Sequence, residues 1–298
     1  MWTRPWNLKE GFLIGAGLIV AGELLQLSSG GIDWALFAWP VNIILLGVVL
    51  AVSAIIFLLR KKVYVFRFLG TYRCAIPALT YAVVLTVIMG LTRQVPEGYS
   101  ATDPIGLTRM TGFWPFVLIY LWVAIILGQV ILRRVTSFQW RDIPFMFNHL
   151  GLFVVLVTAP LGSADMRRVE LTAMKGLPEW RAVDKSRLIH ELPFSVELLD
   201  FTIDESPKVR YISHVRLHIR KGNDVEAYIE VNKPYSIEGW KIYQLDYSTV
   251  SGNEYDVSTF ELVRDPWQPY VYIGIYMMLG GAVLMFLTAQ KKRKEEES

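Results

Sequence analysis

Six long runs of apolar residues constrain this chain more than any other feature of its sequence. A bilayer crossing takes about 20 mostly apolar residues, with about 17 as the usual lower limit. The charged residues lie almost entirely between the runs. We therefore predict a polytopic α-helical membrane protein with about six transmembrane helices. The predicted spans are residues 12–27, 34–59, 74–91, 113–132, 144–161 and 269–289.

The first run is the weakest of the six, because it is 16 residues long and contains Glu23. Arg4 and Lys9 precede it, so a signal anchor or a signal peptide is an alternative to a permanent helix. The run is not followed by a convincing small-residue cleavage site, and we count it as a helix.

Composition excludes several classes of protein. Of the 298 residues, 53% are hydrophobic and 19% are charged, which rules out a disordered chain and disfavours an ordinary soluble globule. The formal net charge of +3 gives no basis for a nucleic-acid partner. The single cysteine, Cys74, cannot form an internal disulfide, a CxxC redox pair or a CxxCH haem-attachment site.

Lysine and arginine are concentrated in alternate loops between the runs. Fourteen basic residues fall on one side, whereas the short loops of the other side carry only Arg93 and Arg109. Because basic loops stay in the cytoplasm, we expect both termini to be cytoplasmic and residues 162–268 to be extracytoplasmic. The fourteen residues are Arg4, Lys9, Arg60, Lys61, Lys62, Arg67, Arg73, Arg133, Arg134, Arg141, Lys291, Lys292, Arg293 and Lys294.

The segment 162–268 alternates between apolar and polar residues with a period of two. Such alternation predicts an antiparallel β-rich domain with one buried face, either a small sandwich or an open barrel. The stretch 174–191 is less regular, and we expect a short helix or an extended excursion there. Turn signals separate the runs at residues 221–224, 232–234, 238–239 and 251–253.

His149 is the most informative polar residue of the membrane segments. It lies about 9 Å beyond Ile143 at the helical rise of 1.5 Å per residue, in the cytoplasmic third of a hydrocarbon core about 30 Å thick. An ionisable side chain at that depth is costly and marks a candidate functional site. A neutral imidazole there either ligates haem iron or forms an interhelical hydrogen bond, with Asn148 or a backbone carbonyl as its partner.

The other polar candidates give weaker signals. Glu23 and Asn42 lie toward the outer side, where Glu23 can reach interfacial water. His214 and His218 share one face of a predicted strand, but no third metal ligand is evident. Arg216 and Arg220 on that face would repel a cation, so we expect a solvated strand face. No nucleophile triad, glycine-rich phosphate loop or HExxH run is visible, and we predict no catalytic residue.

Several motifs together point to a family. An Asn148-His-Leu-Gly-Leu helix precedes the external β domain, which contains Val231-Asn-Lys-Pro and then Gly239-Trp-Lys-Ile-Tyr-Gln. Asp265-Pro follows directly before the last apolar run, which carries Gly274, Gly280 and Gly281. From the third apolar run to its end, the chain resembles the ResB family. This family is also called the CcsB component of System II cytochrome c biogenesis.

The resemblance implies a function in the bacterial plasma membrane. Members of this family work with CcsA, a membrane protein with a tryptophan-rich WWD segment. Together they move haem b across the membrane and attach it to apocytochrome c, whose thiols other proteins of the pathway keep reduced. The resemblance implies that His149 is an axial ligand of the haem iron, paired with a histidine of the partner.

This chain departs from the family pattern in two respects. Family members usually place the histidine on the third membrane helix, whereas here it falls on the fifth. Residues 1–62 therefore resemble an added helical pair, followed by core helices in 63–161, the β domain in 162–268, and the last helix with its charged tail in 269–298. No WWD segment is present, so the chain alone is expected to be a subunit without ligation activity.

Three other interpretations remain open. The chain could be a scaffold that holds a CcsA-type partner or apocytochrome c and never binds haem. It could be an electron carrier of cytochrome b type, although such a carrier needs paired axial ligands and one membrane histidine argues against it. A transporter of another solute is a third alternative, which the scarcity of charged intramembrane residues weakens.

Overall fold

The computed structural model describes residues 2–95, 100–204, 208–220, 222–248 and 256–297, with the side chains of 289–297 excepted. The chain forms two compact units. One comprises Met1–Ala164 and Trp267–Ser298, and the other Asp165–Pro266. The first unit is helical and the second is a β sheet. Residue 221 of the predicted turn 221–224 and the whole predicted turn 251–253 lie outside the described residues.

Seven helices form the helical unit in the part of the chain that the structure describes. All but the short α3 are long and apolar enough to cross a membrane, and each of the six coincides with a predicted run. The helices are α1 Leu8–Ser29, α2 Val41–Leu59, α3 Tyr64–Leu69, α4 Tyr72–Leu91, α5 Trp114–Thr136, α6 Ile143–Ser163 and α7 Gln268–Glu297.

The second predicted run, 34–59, is not one helix. A 3-10 turn occupies Trp34–Phe37, and α2 begins only at Val41. Asp33 stabilises the turn by accepting a hydrogen bond from the Ala35 N–H at 3.1 Å. Pro40 then precedes α2, and the proline ring is tolerated at a helix start but not within one. The predicted span was too long because the residues around the break are apolar. Only Asp33 and Pro40 mark the break in the sequence.

Three buried glycines hold α1 against its neighbours. A Cβ atom on Gly11 would lie 2.7 Å from the Arg73 carbonyl oxygen, and one on Gly22 would lie 2.6 Å from the Pro115 backbone. A Cβ on Gly15 would lie 2.2 Å from the Tyr81 ring. These close approaches seat α1 on α4 and α5, as small residues do between membrane helices. The weakest predicted span is therefore an integral part of the helical unit.

Buried amides connect α2 to two other helices. Asn42 is fully buried and donates from Nδ2 to the Leu161 carbonyl of α6 at 3.2 Å. Gln129 of α5 donates from Nε2 to the Ser53 carbonyl of α2 at 2.8 Å. Such bonds across apolar helices are worth on the order of 0.6–2 kcal/mol each. They fix how α2 lies against α5 and α6.

Eight antiparallel strands form one sheet in the described part of the second unit, in the order β5-β4-β3-β2-β1-β8-β7-β6. The end strand β5 also contacts β6 and β7, so the sheet curls back on itself. Of the two predicted architectures, the open barrel is the nearer description. The strands are β1 Arg167–Met174, β2 Glu179–Val183, β3 Ile189–Asp204, β4 Arg210–Ile219, β5 Val225–Glu230, β6 Tyr235–Ile237, β7 Trp240–Ser248 and β8 Val257–Arg264.

The sheet differs from the sequence expectation in two places. The stretch 174–191, expected to be irregular, contains β2 and the start of β3. Within β3 the register shifts between Leu198 and Asp200, and the buried positions move from Leu198 to Phe201. A β-bulge of this kind adds one residue and reverses the alternation, which a strict period of two cannot anticipate. The inner face is mostly apolar, and its buried polar residues Ser213, Gln244 and Ser258 hydrogen-bond to one another.

Candidate membrane histidine site

The start of α6 is anchored by a buried carboxylate. Asp142 is 3% exposed and accepts Arg134 Nη2 at 2.8 Å through Oδ1. Its Oδ2 accepts the backbone N–H of Gln139 at 3.1 Å. Pro144 occupies the first turn of the helix, where its missing N–H has no cost. The helix therefore has a fixed origin, and His149 is the seventh residue along it, about 9 Å from Ile143.

Phe145, one helical turn before His149, fixes the orientation of the imidazole. The Nδ1 atom of His149 lies 2.9 Å from the Phe145 carbonyl oxygen. The two rings stack with centroids 3.7 Å apart and planes inclined by 22°. The Arg134 guanidinium lies 5.3 Å from the centroid of the same Phe145 ring. The His149 side chain is half-buried, and Phe145 holds its ring by the hydrogen bond at Nδ1 and by stacking on one face.

The hydrogen bond at Nδ1 decides the tautomer of the neutral ring. A carbonyl oxygen can only accept, so Nδ1 must carry the proton. In the neutral imidazole the lone pair is then on Nε2. Among the residues that the structure describes, none forms a hydrogen bond with Nε2. The ring thus has the arrangement of a metal-ligating histidine, whose second nitrogen donates to a backbone carbonyl.

The expected interhelical hydrogen bond of His149 is not the one observed. Its carbonyl partner belongs to its own helix, and Asn148 donates instead to the Pro144 carbonyl at 3.0 Å. A Cβ atom on Gly281 of α7 would lie 2.6 Å from Asn148 Nδ2. Asn148 therefore packs against α7 and is not a partner of His149.

Glu23 and Asn42 have different surroundings. Asn42 is a structural residue, because its amide joins α2 to α6. Glu23 is half-buried on α1, and among the described residues it has no hydrogen-bond or ion-pair partner. The described hydrogen bond and ring contact of His149 are instead both with Phe145.

The histidines of the β unit belong to an ion-pair network rather than to a bare solvated face. His218 contacts Glu197 Oε2 at 3.0 Å and Asp224 Oδ2 at 2.8 Å, whereas His214 contacts Glu226 Oε2 at 3.2 Å. Arg216 lies between them and also pairs with Glu226 at 2.8 Å. The part of the chain that the structure describes has no group of three or more His, Cys, Asp or Glu side chains suited to a metal ion.

The carboxylates of this network have a larger effect on the pKa of His218 than its partial burial has. Partial burial by itself would lower the pKa of His218, but its hydrogen bonds to Glu197 and Asp224 raise that pKa above its usual 6.5. His190 makes a separate contact with Asp184, at 2.8 Å. The network therefore links strands β3, β4 and β5 through cross-strand charge pairs.

The motifs of the β unit that suggested a family fold as a hairpin. Glu238 and Gly239, both with positive φ, connect β6 to β7 in two residues, as a type I′ turn does. Trp240, Ile242 and Gln244 then point into the sheet interior. Gln244 accepts a hydrogen bond from Ser213 Oγ of β4 at 2.6 Å. The motif therefore specifies the core of the sheet and its closure.

Sequence reasoning found His149 but missed its supporting residues. The spacing of Phe145 and His149, four apart on a helix, could have indicated their contact. The ion pair of Arg134 with Asp142 could not be predicted from helical spacing, because it joins the end of α5 to the start of α6. The turn between the two helices brings these residues together.

Comparison with known proteins defines the relationship of the central segment. A model described as the ResB-like family matches residues 139–258, which include His149 and strands β1 to β7. This segment is similar to the ResB-like family. The resemblance drawn from the sequence motifs is therefore confirmed over that range, which is narrower than the range from the third apolar run to the end.

Two curated relatives are named cytochrome c biogenesis protein CcsB, from Prochlorococcus marinus strains NATL2A and NATL1A. They are 31% and 30% identical to this chain over 103 residues. The aligned segment covers 34% of this chain and 23% of the length of each relative. Similarity to the ResB-like proteins is thus established for part of the chain and a smaller part of the relatives.

A solved structure, the cytochrome c haem lyase CcmF, can be superimposed on 94% of this chain and 46% of its own. The sequence identity is 12% and the TM-score is 0.38. A TM-score of this size does not establish a common fold.

Proposed function

We propose that this chain is a multi-pass membrane subunit of a System II cytochrome c maturation complex and holds haem b through Nε2 of His149. The observation that carries the proposal is the hydrogen bond from Nδ1 to the Phe145 carbonyl. This bond leaves the Nε2 lone pair available and holds the ring before any ligand arrives. The names of the two ResB-like relatives supply the pathway.

The residues around His149 fit an axial ligand. Stacking on Phe145 limits rotation of the imidazole, and the Asp142–Arg134 pair fixes the helix turn that carries it. Preorganised ligands lose less conformational entropy when they bind. Haem held there would supply the iron and vinyl groups from which a cytochrome c is made. His149 provides one ligand, so a CcsA-type partner would provide the second.

The other parts of the chain follow from this assignment. The distribution of basic residues supports cytoplasmic termini and an extracytoplasmic β unit. There the β unit would hold apocytochrome c or shape the external haem site of the complex. We assign no acid, base or nucleophile to this chain. The thiols of apocytochrome c would be kept reduced by other proteins of the pathway.

The test is the visible absorption spectrum of the detergent-purified full chain, co-expressed with a CcsA-type partner. We expect a Soret band in the wild type and its loss in His149→Ala, with partner binding retained. His218→Ala is the matched control, because it removes an external histidine and should keep the band. Omitting the partner should weaken the band by removing the second ligand.

Added imidazole makes the test specific for ligation. In His149→Gly, free imidazole should restore the Soret band, because it can occupy the vacated ligand position. A Soret band of wild-type intensity in His149→Ala would exclude His149 as a ligand. Absence of the band from every sample, with the complex intact, would favour the scaffold alternative.

A further inference from the structure

Two clefts lie at the end of the helical unit where the basic segments meet. They have volumes of about 370 Å³ and about 290 Å³. Arg67 of α3, Arg133 of α5 and the intervening Gly70 line both. Arg73 lines the first cleft, and Arg60 and Lys61 line the second. Five cationic side chains from four consecutive parts of the fold therefore converge on one small region.

Among the residues whose side chains the structure describes, none of these five cations forms an ion pair with a carboxylate. The segment 60–73 contains five basic residues and no Asp or Glu. Within the described residues, the one carboxylate ion pair of the helical unit is that of Arg134 with Asp142, which lines neither cleft. Arg133 instead donates from Nη1 to the Gly70 carbonyl, and Arg73 donates from Nη1 to the Trp6 carbonyl at 3.3 Å. Each guanidinium keeps further N–H groups for another acceptor.

Aromatic residues form one wall of the larger cleft and fix the arginines. Tyr64 accepts the Trp6 backbone N–H at 2.8 Å. The guanidinium groups of Arg4 and Arg67 lie 4.6 Å and 5.7 Å from the centroid of the Tyr64 ring. Aromatic rings beside arginines are characteristic of the boundary between hydrocarbon and water. This end of the helices is thus built as an interfacial layer.

A phosphate group is the ligand that this chemistry favours. Guanidinium groups bind phosphate through paired N–H donors, and converging arginines compete well with water for it. Pockets of this type between membrane helices on the basic side bind acidic lipid headgroups. Volumes near the lower end of the usual range of ~300–1,000 Å³ suit a headgroup better than a larger ligand. Six helices are long and apolar enough to cross a bilayer, and the basic ends of such helices lie among the lipid headgroups.

We propose that the Arg67–Arg133 cleft region binds the phosphate group of an anionic phospholipid headgroup. The two arginines provide the charge, and Tyr64 and Trp6 hold the rim at the interface. Bound lipid would bridge α1, α3, α4 and α5 at this end. The site is independent of His149, which lines neither cleft.

The test is native mass spectrometry of the detergent-purified full chain with an equimolar mixture of phosphatidylglycerol and phosphatidylcholine. We expect retention of phosphatidylglycerol and a loss of at least about tenfold in Arg67→Gln/Arg133→Gln. The matched control is Lys62→Gln/Arg141→Gln, which removes two charges from the same basic segments without touching either cleft. This control should remain within about twofold of the wild type.

A single variant and a competition experiment with inorganic phosphate distinguish a specific lipid site from diffuse attraction and from a phosphate site. Arg67→Gln alone should lose at least about threefold and should fold normally, because the described contact of Arg67 is with the Tyr64 ring. Equal losses in the two double variants would indicate diffuse attraction and overturn the site. Displacement of the lipid by inorganic phosphate would overturn the lipid as the source of the group. Resistance to phosphate, with loss confined to the cleft variants, supports the proposal.

Discussion

Gly151 of α6 and Gly274 of α7 lie in direct backbone contact. A Cβ atom on Gly151 would lie 2.6 Å from the Gly274 carbonyl oxygen, and one on Gly274 would lie 2.7 Å from the Gly151 carbonyl oxygen. Gly281 further along α7 is close to the Asn148 side chain, because a Cβ atom on Gly281 would lie 2.6 Å from Asn148 Nδ2. The helix that carries His149 is thus packed closely against α7 at Gly151 and Gly274, as helices are at small-residue interfaces in membranes.

Replacing Gly151 by alanine should separate α6 from α7. The new methyl group would overlap a backbone atom that cannot rotate away, and overpacking of this kind costs about 1–3 kcal/mol. We expect the unfolding temperature of the detergent-purified chain to fall by several degrees. Gly280→Ala on α7 is the control, because its nearest neighbouring atom would be 3.9 Å away. Equal unfolding temperatures for both variants would contradict the prediction.

The orientation of the chain in the membrane can be tested by cysteine labelling. Cys74 is fully buried, so the wild type is an almost unreactive background. Ser29→Cys and Ser186→Cys should react with a membrane-impermeant maleimide in intact cells. Ser137→Cys should react only after the cells are opened, because the loop between α5 and α6 carries the basic residues. Labelling of Ser137→Cys in intact cells would reverse the proposed orientation.

The His218 network should make stability depend on pH. The carboxylates of Glu197 and Asp224 raise the pKa of His218 in the folded chain despite partial burial, which acts in the opposite direction. Protonation then stabilises the folded state fully below the unfolded pKa near 6.5. This contribution is lost as the pH rises through the folded pKa.

We therefore expect His218→Gln to lower the unfolding temperature more at about pH 6 than at about pH 8.5. Arg216 and Glu226, the neighbouring charges, keep their charge across this range because the pKa of Arg216 is raised and that of Glu226 is lowered by their mutual hydrogen bond. A difference between wild type and variant that does not change with pH would show that His218 acts only through packing.

The sequence determined the elements that depend on composition and period. The six apolar runs predicted six helices, and the alternation in 194–201 and 215–220 predicted strands. Both predictions depend on local sequence, because apolar side chains are buried in lipid or in a protein core whichever tertiary partner covers them. The break before Val41 was missed because its cause is one carboxylate and one proline within an apolar run. The bulge at Leu198 was missed because it depends on the partner strand.

For the candidate site, the sequence determined the residue and the tertiary structure decided its surroundings. The rarity of a histidine within an apolar run singled out His149 as the candidate, since burial of a polar side chain is costly there. Its tautomer follows from the contact with the Phe145 carbonyl, and its anchorage from Arg134 on another helix. The convergence of Arg67 with Arg133 likewise joins residues 66 positions apart. Such relationships depend on how the helices pack, and the composition and periodicity of the sequence do not predict them.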